Sequence, residues 1–261
     1  KKWKTEALNG LSNNSEDDLL RFFYKDSKCS VNDSMRYNVG NKFNSFKPYY
    51  TTRNTIADNL EAKPKKIHPG TIQPQQMWKI SEYYEAMRNN DENLPDWLTE
   101  NMILDMKESN ELFMQTIFNG DYVKQMSGGV YANMLLDEFD KAVKNKQQLK
   151  MQILCAQDIV VAAAISAIAA SKETASTICE ETFTANVPKH GAALIAELHE
   201  GKGQQNNNYY VKIFYWDAHA DEPKQLKYKH CTGECSLDRF KELLNKTRIT
   251  EDKLKNNCGI P

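Results

Sequence analysis

The sequence predicts an α/β protein with a mixed sheet flanked by helices and a mostly α-helical cap. Three observations lead to this fold class. Apolar residues recur at helical spacing through much of residues 75–143. An uncharged run at 151–156 leads into an Ala-rich stretch, as a buried strand leads into its helix. Two runs rich in aromatic and β-branched residues then follow, separated by a polar loop, as in a hairpin.

The first half of the chain is predicted to consist of helices joined by loops. Polar residues dominate the first 70 positions, and Pro64, Pro69, Gly70 and Pro74 mark a connector. The Asn119-Gly120 pair is a typical helix end. Helices are predicted at residues 17–23, 55–62, 75–87, 94–118 and 130–143.

The second half is predicted to supply the sheet. Alternation in the last long strand places Val211, Ile213 and Tyr215 on one face. Ser236 is a favourable N-cap for a final helix that runs through Leu244. Strands are predicted at 149–156, 192–198 and 209–216, with a helix at 159–170.

The length of 261 residues allows one large domain or a core with a cap. Residues 1–148 are expected to form the mostly helical cap and connector. Residues 149–261 are expected to form the α/β core with a C-terminal disulfide turn and helix. We interpret the two parts as one integrated domain.

Charge and hydropathy exclude several partners. The net charge of −1 argues against a nucleic-acid binder, which normally carries a basic excess. Only six of the 34 basic residues are Arg, so bidentate phosphate-binding groups are scarce. No run of eighteen apolar residues is present, so no membrane partner is expected. The sequence implies no cofactor and carries no signal for an oligomeric state.

Cysteine usage favours an extracellular protein. The six Cys residues are an even number, and Cys231 and Cys235 could form a small disulfide loop or half of a zinc site. A zinc site would need two more ligands, and no second pair follows. The numbering begins at Lys1, which indicates a processed chain. Three glycosylation acceptor triplets fit the same context: Asn13, Asn32 and Asn245.

Five segments occur in an order that resembles one known family. They are 16–20 (Glu-Asp-Asp-Leu-Leu) with Cys29 after them, 94–97 (Leu-Pro-Asp-Trp), 127–130 (Ser-Gly-Gly-Val), 151–158 (Met-Gln-Ile-Leu-Cys-Ala-Gln-Asp) and 231–240 (Cys-Thr-Gly-Glu-Cys-Ser-Leu-Asp-Arg-Phe). Together they resemble the histidine acid phosphatases over residues 16–261. In that family 127–130 would begin a helix, and 151–158 would be a strand that ends at the active site.

The resemblance also indicates a disabled active site. Family members end this strand in His-Asp, where the Asp protonates the leaving group and the His helps to bind the phosphoryl group. Asp158 matches that Asp, but Gln157 stands where the His belongs. A neutral amide cannot offset a phosphoryl charge. The family's Arg-His-Gly segment, which supplies the nucleophile, occurs nowhere in the sequence. The resemblance therefore implies a protein that is not an enzyme.

The missing segment leaves two alternatives. Either the protein is naturally short, or an N-terminal piece has been cleaved or omitted. Without the family's first strands, the run 149–156 would have an unpaired side. This cost favours a missing piece or a rebuilt sheet. A separate N-terminal chain could then complete an acid phosphatase.

The resemblance further implies two disulfide bridges, Cys231–Cys235 and Cys29–Cys258. Cys155 and Cys179 then remain. They either form a new bridge or are two buried thiols.

The expected ligand site combines Asp158 and Gln157 with an aromatic wall. Trp78 aligns with a residue that borders the family's pocket, and Tyr83 or Tyr84 follows on the same helix. Asp158 either caps the helix at 159 or also faces the ligand, and Trp78 is either pocket wall or core. A carboxylate beside an aromatic ring suits a small cation. We therefore expect the pocket to bind amines rather than phosphate.

A disabled, Lys-rich and Asn-rich member of this family resembles the salivary acid phosphatase-like proteins of fleas. That resemblance implies a secreted salivary protein that sequesters biogenic amines such as serotonin or catecholamines, and leukotrienes, and so counters haemostasis and inflammation. A lipid would need an apolar channel, for which Met102, Met106 and Met114 are candidates if they are not core. The alternatives are the completed phosphatase and a platelet- or collagen-directed interaction protein.

Overall fold

A computed structural model describes residues 31–60, 74–144, 150–169, 187–201, 209–218, 220–228, 231 and 234–258. The helices are α1 (Val31–Asn41), a 3₁₀ helix (Phe43–Tyr49), α2 (Tyr50–Leu60), α3 (Pro74–Asn89), α4 (Glu100–Ile117), α5 (Asp121–Val143), α6 (Asp158–Ala169), α7 (Leu237–Leu244) and α8 (Glu251–Cys258). The strands are β1 (Ala193–Glu200), β2 (Tyr209–Trp216), β3 (Lys224–Leu226) and β4 (Cys235–Ser236).

The described residues divide into two compact units. The first unit contains residues 31–33 and the described residues from Gly120 to Cys258, except Val187. It therefore includes all four described strands. The second contains Ser34–Asn119 and Val187. Helix α5 belongs to the same unit as the sheet.

The sheet of the first unit is antiparallel and has β2 at its centre. β2 pairs with β1 along its whole length and with β3 and β4 at its two ends. The predicted hairpin is thus confirmed, and the combination of helices and a sheet agrees with the α/β class. We expected a mixed sheet, but the described strands are all antiparallel. The strand expected at 149–156 is not part of the described sheet.

One face of the sheet forms the core of the first unit. Val211 and Ile213 of β2 are only 3% and 1% exposed, as the predicted alternation requires. They pack with residues of α5, α6 and α7, including the fully buried Phe240. Ser236 caps α7 as predicted, since its hydroxyl accepts a hydrogen bond from the Arg239 backbone N–H.

Helix α5 begins nine residues before its predicted start at 130. Gly128 and Gly129 lie inside the helix, although the family resemblance had indicated a helix start there. Both are completely buried, and each allows another backbone to approach closely: Gly128 faces α6, and Gly129 faces Thr247. Tertiary packing therefore explains why two glycines are tolerated in mid-helix.

The prediction of a buried strand at 149–156 is wrong for the residues that are described. Residues 150–157 have no regular secondary structure. Met151 and Ile153 are 62% and 58% exposed, and Cys155 is exposed as well. The uncharged, mostly apolar run that suits a buried strand is present, but a strand also needs hydrogen-bonding neighbours, and none of the described residues pairs with this segment.

Helices α3 and α4 form the core of the second unit. Thr99 caps α4 by accepting a hydrogen bond from the Met102 N–H, so this helix begins later than the predicted residue 94. Met102 and Met106 pack with Met77 and Ile56 in the core, and Met114 is also fully buried. These methionines are core residues.

The remaining predicted helices had different outcomes, and five elements of the structure were not predicted. The helix predicted at 75–87 is confirmed as α3, and that at 159–170 as α6. The helix predicted at 55–62 begins earlier, at Tyr50. The helix predicted at 17–23 lies outside the described residues. Elements that the prediction missed are α1, the 3₁₀ helix, α8, β3 and β4.

Candidate functional site

Gln157 and Asp158 together start helix α6. The Gln157 carbonyl oxygen accepts hydrogen bonds from the N–H groups of Val160 and Val161, at 3.0 and 3.1 Å. The Asp158 carboxylate accepts one from the Ile159 N–H, at 2.7 Å. These bonds satisfy backbone N–H groups that the first turn of a helix leaves unpaired. The capping role of Asp158 that we weighed at the sequence level is therefore present.

The side chains of the two residues differ in exposure. Asp158 is half-buried, and the Gln157 side chain is exposed. The rest of α6 is mostly buried, as Ala162, Ala163 and Ala164 are each at most 5% exposed. A rigid, buried helix thus presents one carboxylate and one neutral amide at its N-terminus. A carboxylate in the first turn is also favoured by the helix dipole.

The aromatic candidates lie on α3 in the second unit, whereas Gln157 and Asp158 lie in the first. Trp78 is part of α3, but its side chain is outside the described structure. Tyr84 is 5% exposed and belongs to the core, where its ring meets Trp97 edge-on at a centroid distance of 6.0 Å. Burial raises the pKa of Tyr84. Tyr83 is 62% exposed. Of the two tyrosines, only Tyr83 is therefore accessible to a ligand.

The disulfide predictions have different outcomes. The Cys231–Cys235 bridge is present, with the two Cα atoms 4.8 Å apart. Cys258 is also disulfide-bonded, but Cys29 and Cys179 lie outside the described residues. Cys155 is a free, exposed thiol. It is thus neither bridged to Cys179 nor buried, because the segment that carries it is not a central strand.

The sequence reasoning missed a small, mainly apolar pocket in the second unit. Its walls come from the 3₁₀ helix, α2, α3 and α4, and it contains the guanidinium group of Arg53. The signal available in the sequence was weak: an Arg three positions after a Tyr on a helix, so that the two side chains share a face.

None of the described helices is long and apolar enough to cross a membrane.

Fold and site together define a class of protein: an α/β protein whose candidate site lies at the N-terminus of a buried helix, with a C-terminal disulfide turn. Comparisons with known proteins agree with this class. The chain is 25% identical to the acid phosphatase-like protein XcAP-2 of the flea Xenopsylla cheopis over 222 residues, 80% of this chain and 57% of that protein. It is 23% identical to XcAP-1 of the same flea over 71% of this chain and 50% of that protein.

Phosphatases of vertebrates are similar over a shorter stretch. The chain is 26% identical to the prostatic acid phosphatase of Rattus norvegicus over 62% of its own length and 39% of the rat protein. No family model matches the chain. The relatives are consistent with a histidine acid phosphatase family member that resembles the flea proteins. The chain spans about half the length of the flea proteins that it matches.

Proposed function

We infer that this chain is a secreted, non-catalytic acid phosphatase-like protein that sequesters small host mediators. The ligands in this proposal are biogenic amines such as serotonin or catecholamines, and leukotrienes. Their removal at a bite would counter haemostasis and inflammation. The similarity to flea acid phosphatase-like proteins supports the family part of the proposal. The Cys231–Cys235 bridge supports an oxidising, extracellular location.

The single observation that carries the proposal is Gln157 beside Asp158 at the start of α6. An exposed amide next to a half-buried carboxylate provides no positive side chain for a phosphoryl group. The same carboxylate can pair with an ammonium group in a charge-assisted hydrogen bond. This charge pattern supports binding of an amine over phosphate turnover.

Titration calorimetry of the full chain with serotonin, noradrenaline, histamine and leukotriene C4 tests the proposal, with inorganic phosphate as control. Saturable binding of an amine is expected, with none of phosphate. Asp158→Asn should weaken amine binding at least about tenfold, which is about 1.4 kcal/mol. Asn still favours a helix start, so the variant should fold. Asp238→Asn changes the first turn of α7 in the same unit and is the matched control. Equal affinity in both variants would exclude Asp158 as the amine partner.

A second candidate function is phosphatase activity completed by a separate N-terminal chain. The observation that favours it is the exposure of Met151 and Ile153, apolar residues that a paired strand would cover. An assay with a chromogenic phosphate ester at acid pH separates the two functions when the wild type and Gln157→His are each isolated together with any N-terminal chain bound to them. The sequestering function predicts no turnover by either chain. Turnover that Gln157→His increases would favour the phosphatase.

A further inference from the structure

The turn after helix α7 carries a sequence triplet that the proposed function does not use. Asn245, Lys246 and Thr247 form an Asn-x-Thr acceptor for an N-linked glycan. Of the three acceptor triplets in the sequence, this is the one whose side chains are all described. Asn13 lies outside the described residues, and so does the side chain of Asn32. The structure therefore shows what surrounds the triplet at 245–247.

Asn245 stands at the C-terminal end of α7 with an exposed side chain. Its backbone N–H donates to the Lys241 carbonyl at 3.0 Å, as the last bond of the helix. Glu242 and Lys246 beside it are exposed as well. Glycans are bulky and hydrophilic, so they need an attachment point on the surface. A glycan on the Asn245 amide can therefore extend into solvent from this turn.

Thr247, by contrast, is buried, and its hydroxyl has a partner. Its exposed fraction is 3%, and Oγ1 donates to the Leu244 carbonyl at 3.1 Å. The Thr247 backbone N–H donates to the same carbonyl at 3.0 Å. Both bonds satisfy a carbonyl group at the end of α7, where intrahelical partners run out. A hydroxyl has one hydrogen to donate, and here it is used inside the protein.

Helix α5 holds the turn in this position. Asn133 of α5 donates to the Ile249 carbonyl. Gly129 of α5 lets the Thr247 backbone come close, because a Cβ atom at that position would collide with the Thr247 carbonyl oxygen. Once these contacts have formed, Thr247 stays buried while Asn245 stays exposed. The folded turn thus separates the two side chains that a glycosyltransferase must recognise together.

We propose that Asn245 carries an N-linked glycan, and that the glycan is attached before the turn packs against α5. The donor is an oligosaccharide joined to a lipid through a diphosphate. Nδ2 of Asn245 forms a bond to the anomeric carbon of the first sugar and releases one proton to solvent. The bond between that carbon and the diphosphate oxygen breaks, the lipid diphosphate leaves, and no atom is oxidised or reduced. The inference rests on the secreted location in the proposed function, but not on any ligand.

The test is expression of the full chain in insect cells behind a secretion signal. The signal brings the chain to the compartment in which glycans are attached, so the result does not depend on whether the natural protein is secreted or binds amines. Peptide-N-glycosidase removes a glycan and leaves aspartate where the modified asparagine stood. Mass spectrometry of the peptide that spans position 245 should detect this conversion. An unmodified asparagine at this position would overturn the proposal.

Three variants separate the glycan from the fold. Asn245→Gln should lose the glycan and still fold, because the side chain is exposed. Thr247→Ser keeps the hydroxyl and should keep the glycan, whereas Thr247→Val should lose it. Asn101→Gln is the matched control, since Asn101 is exposed and has Ile103 rather than Ser or Thr two positions later. A glycan that persists in Thr247→Val, or is lost in Thr247→Ser, would overturn the role of the hydroxyl.

The order of events has a separate test. The full chain, made in bacteria and folded, is incubated with the glycosyltransferase and its lipid-linked donor, beside the same chain kept unfolded by reduction and alkylation of its cysteines. The unfolded chain should be modified at Asn245, and the folded chain should not, because Thr247 is buried in it. Equal modification of the two forms would overturn attachment before folding.

Discussion

Gly128 of α5 lies against the backbone of Ala163 in α6. A Cβ atom added at Gly128 would stand 2.1 Å from the Ala163 carbonyl oxygen and 2.5 Å from the Cβ of Ala167. Neither neighbour is the end of a flexible side chain that could move aside. The contact sets how closely the two helices approach, and α6 carries Asp158. The position of the candidate site thus depends on a glycine in another helix.

Gly128→Ala should lower the free energy of unfolding by about 2 kcal/mol or more, since overpacking of this kind typically costs about 1–3 kcal/mol. Urea denaturation followed by circular dichroism measures the change. Gly40→Ala is the control, because nothing lies within 4 Å of a Cβ at that helical position. It should be neutral or stabilising by up to about 1 kcal/mol. Equal effects of the two substitutions would contradict the close approach of α5 and α6.

Asn133 should be important for holding residues 248–249 against α5. Its Nδ2 donates to the Ile249 carbonyl, and its Oδ1 accepts from the Arg248 Nε at 3.1 Å. Asn133→Ala removes both bonds, and we expect a loss of about 1–3 kcal/mol of stability. Hydrogen exchange should also become faster in α8 than in α7. Asn101→Ala on the exposed surface of α4 should change neither quantity.

The exposed segment at 150–157 can be tested directly. Met151→Lys and Ile153→Lys should change the unfolding free energy by less than about 0.5 kcal/mol, as surface substitutions usually do. Ile213→Ala, on the buried face of β2, should cost about 2–5 kcal/mol. Thermal unfolding of the three variants and the wild type measures these changes in unfolding free energy. A large loss in either lysine variant would show that the segment is buried in solution.

Stability should fall in strongly alkaline solution because of Tyr131. Burial raises the pKa of this phenol from its ordinary value of 10.0 to about 12. The folded state therefore prefers the neutral phenol, and the stabilisation is complete below pH 10 and is lost as pH rises toward about 12. Burial first, and then Asp217, raises the pKa of Tyr215 to about 12, with the same sign.

Tyr131→Phe should reduce this alkaline loss, because Phe does not titrate. Unfolding free energies measured by urea denaturation at several pH values from 8 to 11 compare the variant with the wild type. Tyr37→Phe is the control, since Tyr37 is 69% exposed. An identical pH dependence for all three proteins would contradict a raised pKa of Tyr131.

Local patterns were sufficient to predict several elements. The run of aromatic and β-branched residues at 209–216 predicted a strand with Val211 and Ile213 on one face, because side chains of a strand alternate with period two. The Ser236 cap was readable because only residues 236–239 form it. The same kind of reasoning identified Asp158 at a helix start, where its carboxylate accepts a backbone N–H.

Long-range contacts were not readable in this way. The segment with Met151 and Ile153 has the apolar composition of a buried strand, but strand pairing depends on neighbours that are often distant in sequence, and the described structure provides none. Arg53 was overlooked because its environment is assembled from four separate helices.

The sequence by itself determined the α/β composition, the hairpin, the Ser236 and Asp158 helix starts and the charge types at residues 157 and 158, because each depends on neighbouring residues and their periodicity. Tertiary structure alone decided that α5 packs with the sheet, that Tyr84 is buried while Tyr83 is exposed, and that Arg53 lines a pocket. Those outcomes follow from close packing between elements far apart in the chain, where one missing Cβ or one absent strand partner changes the arrangement.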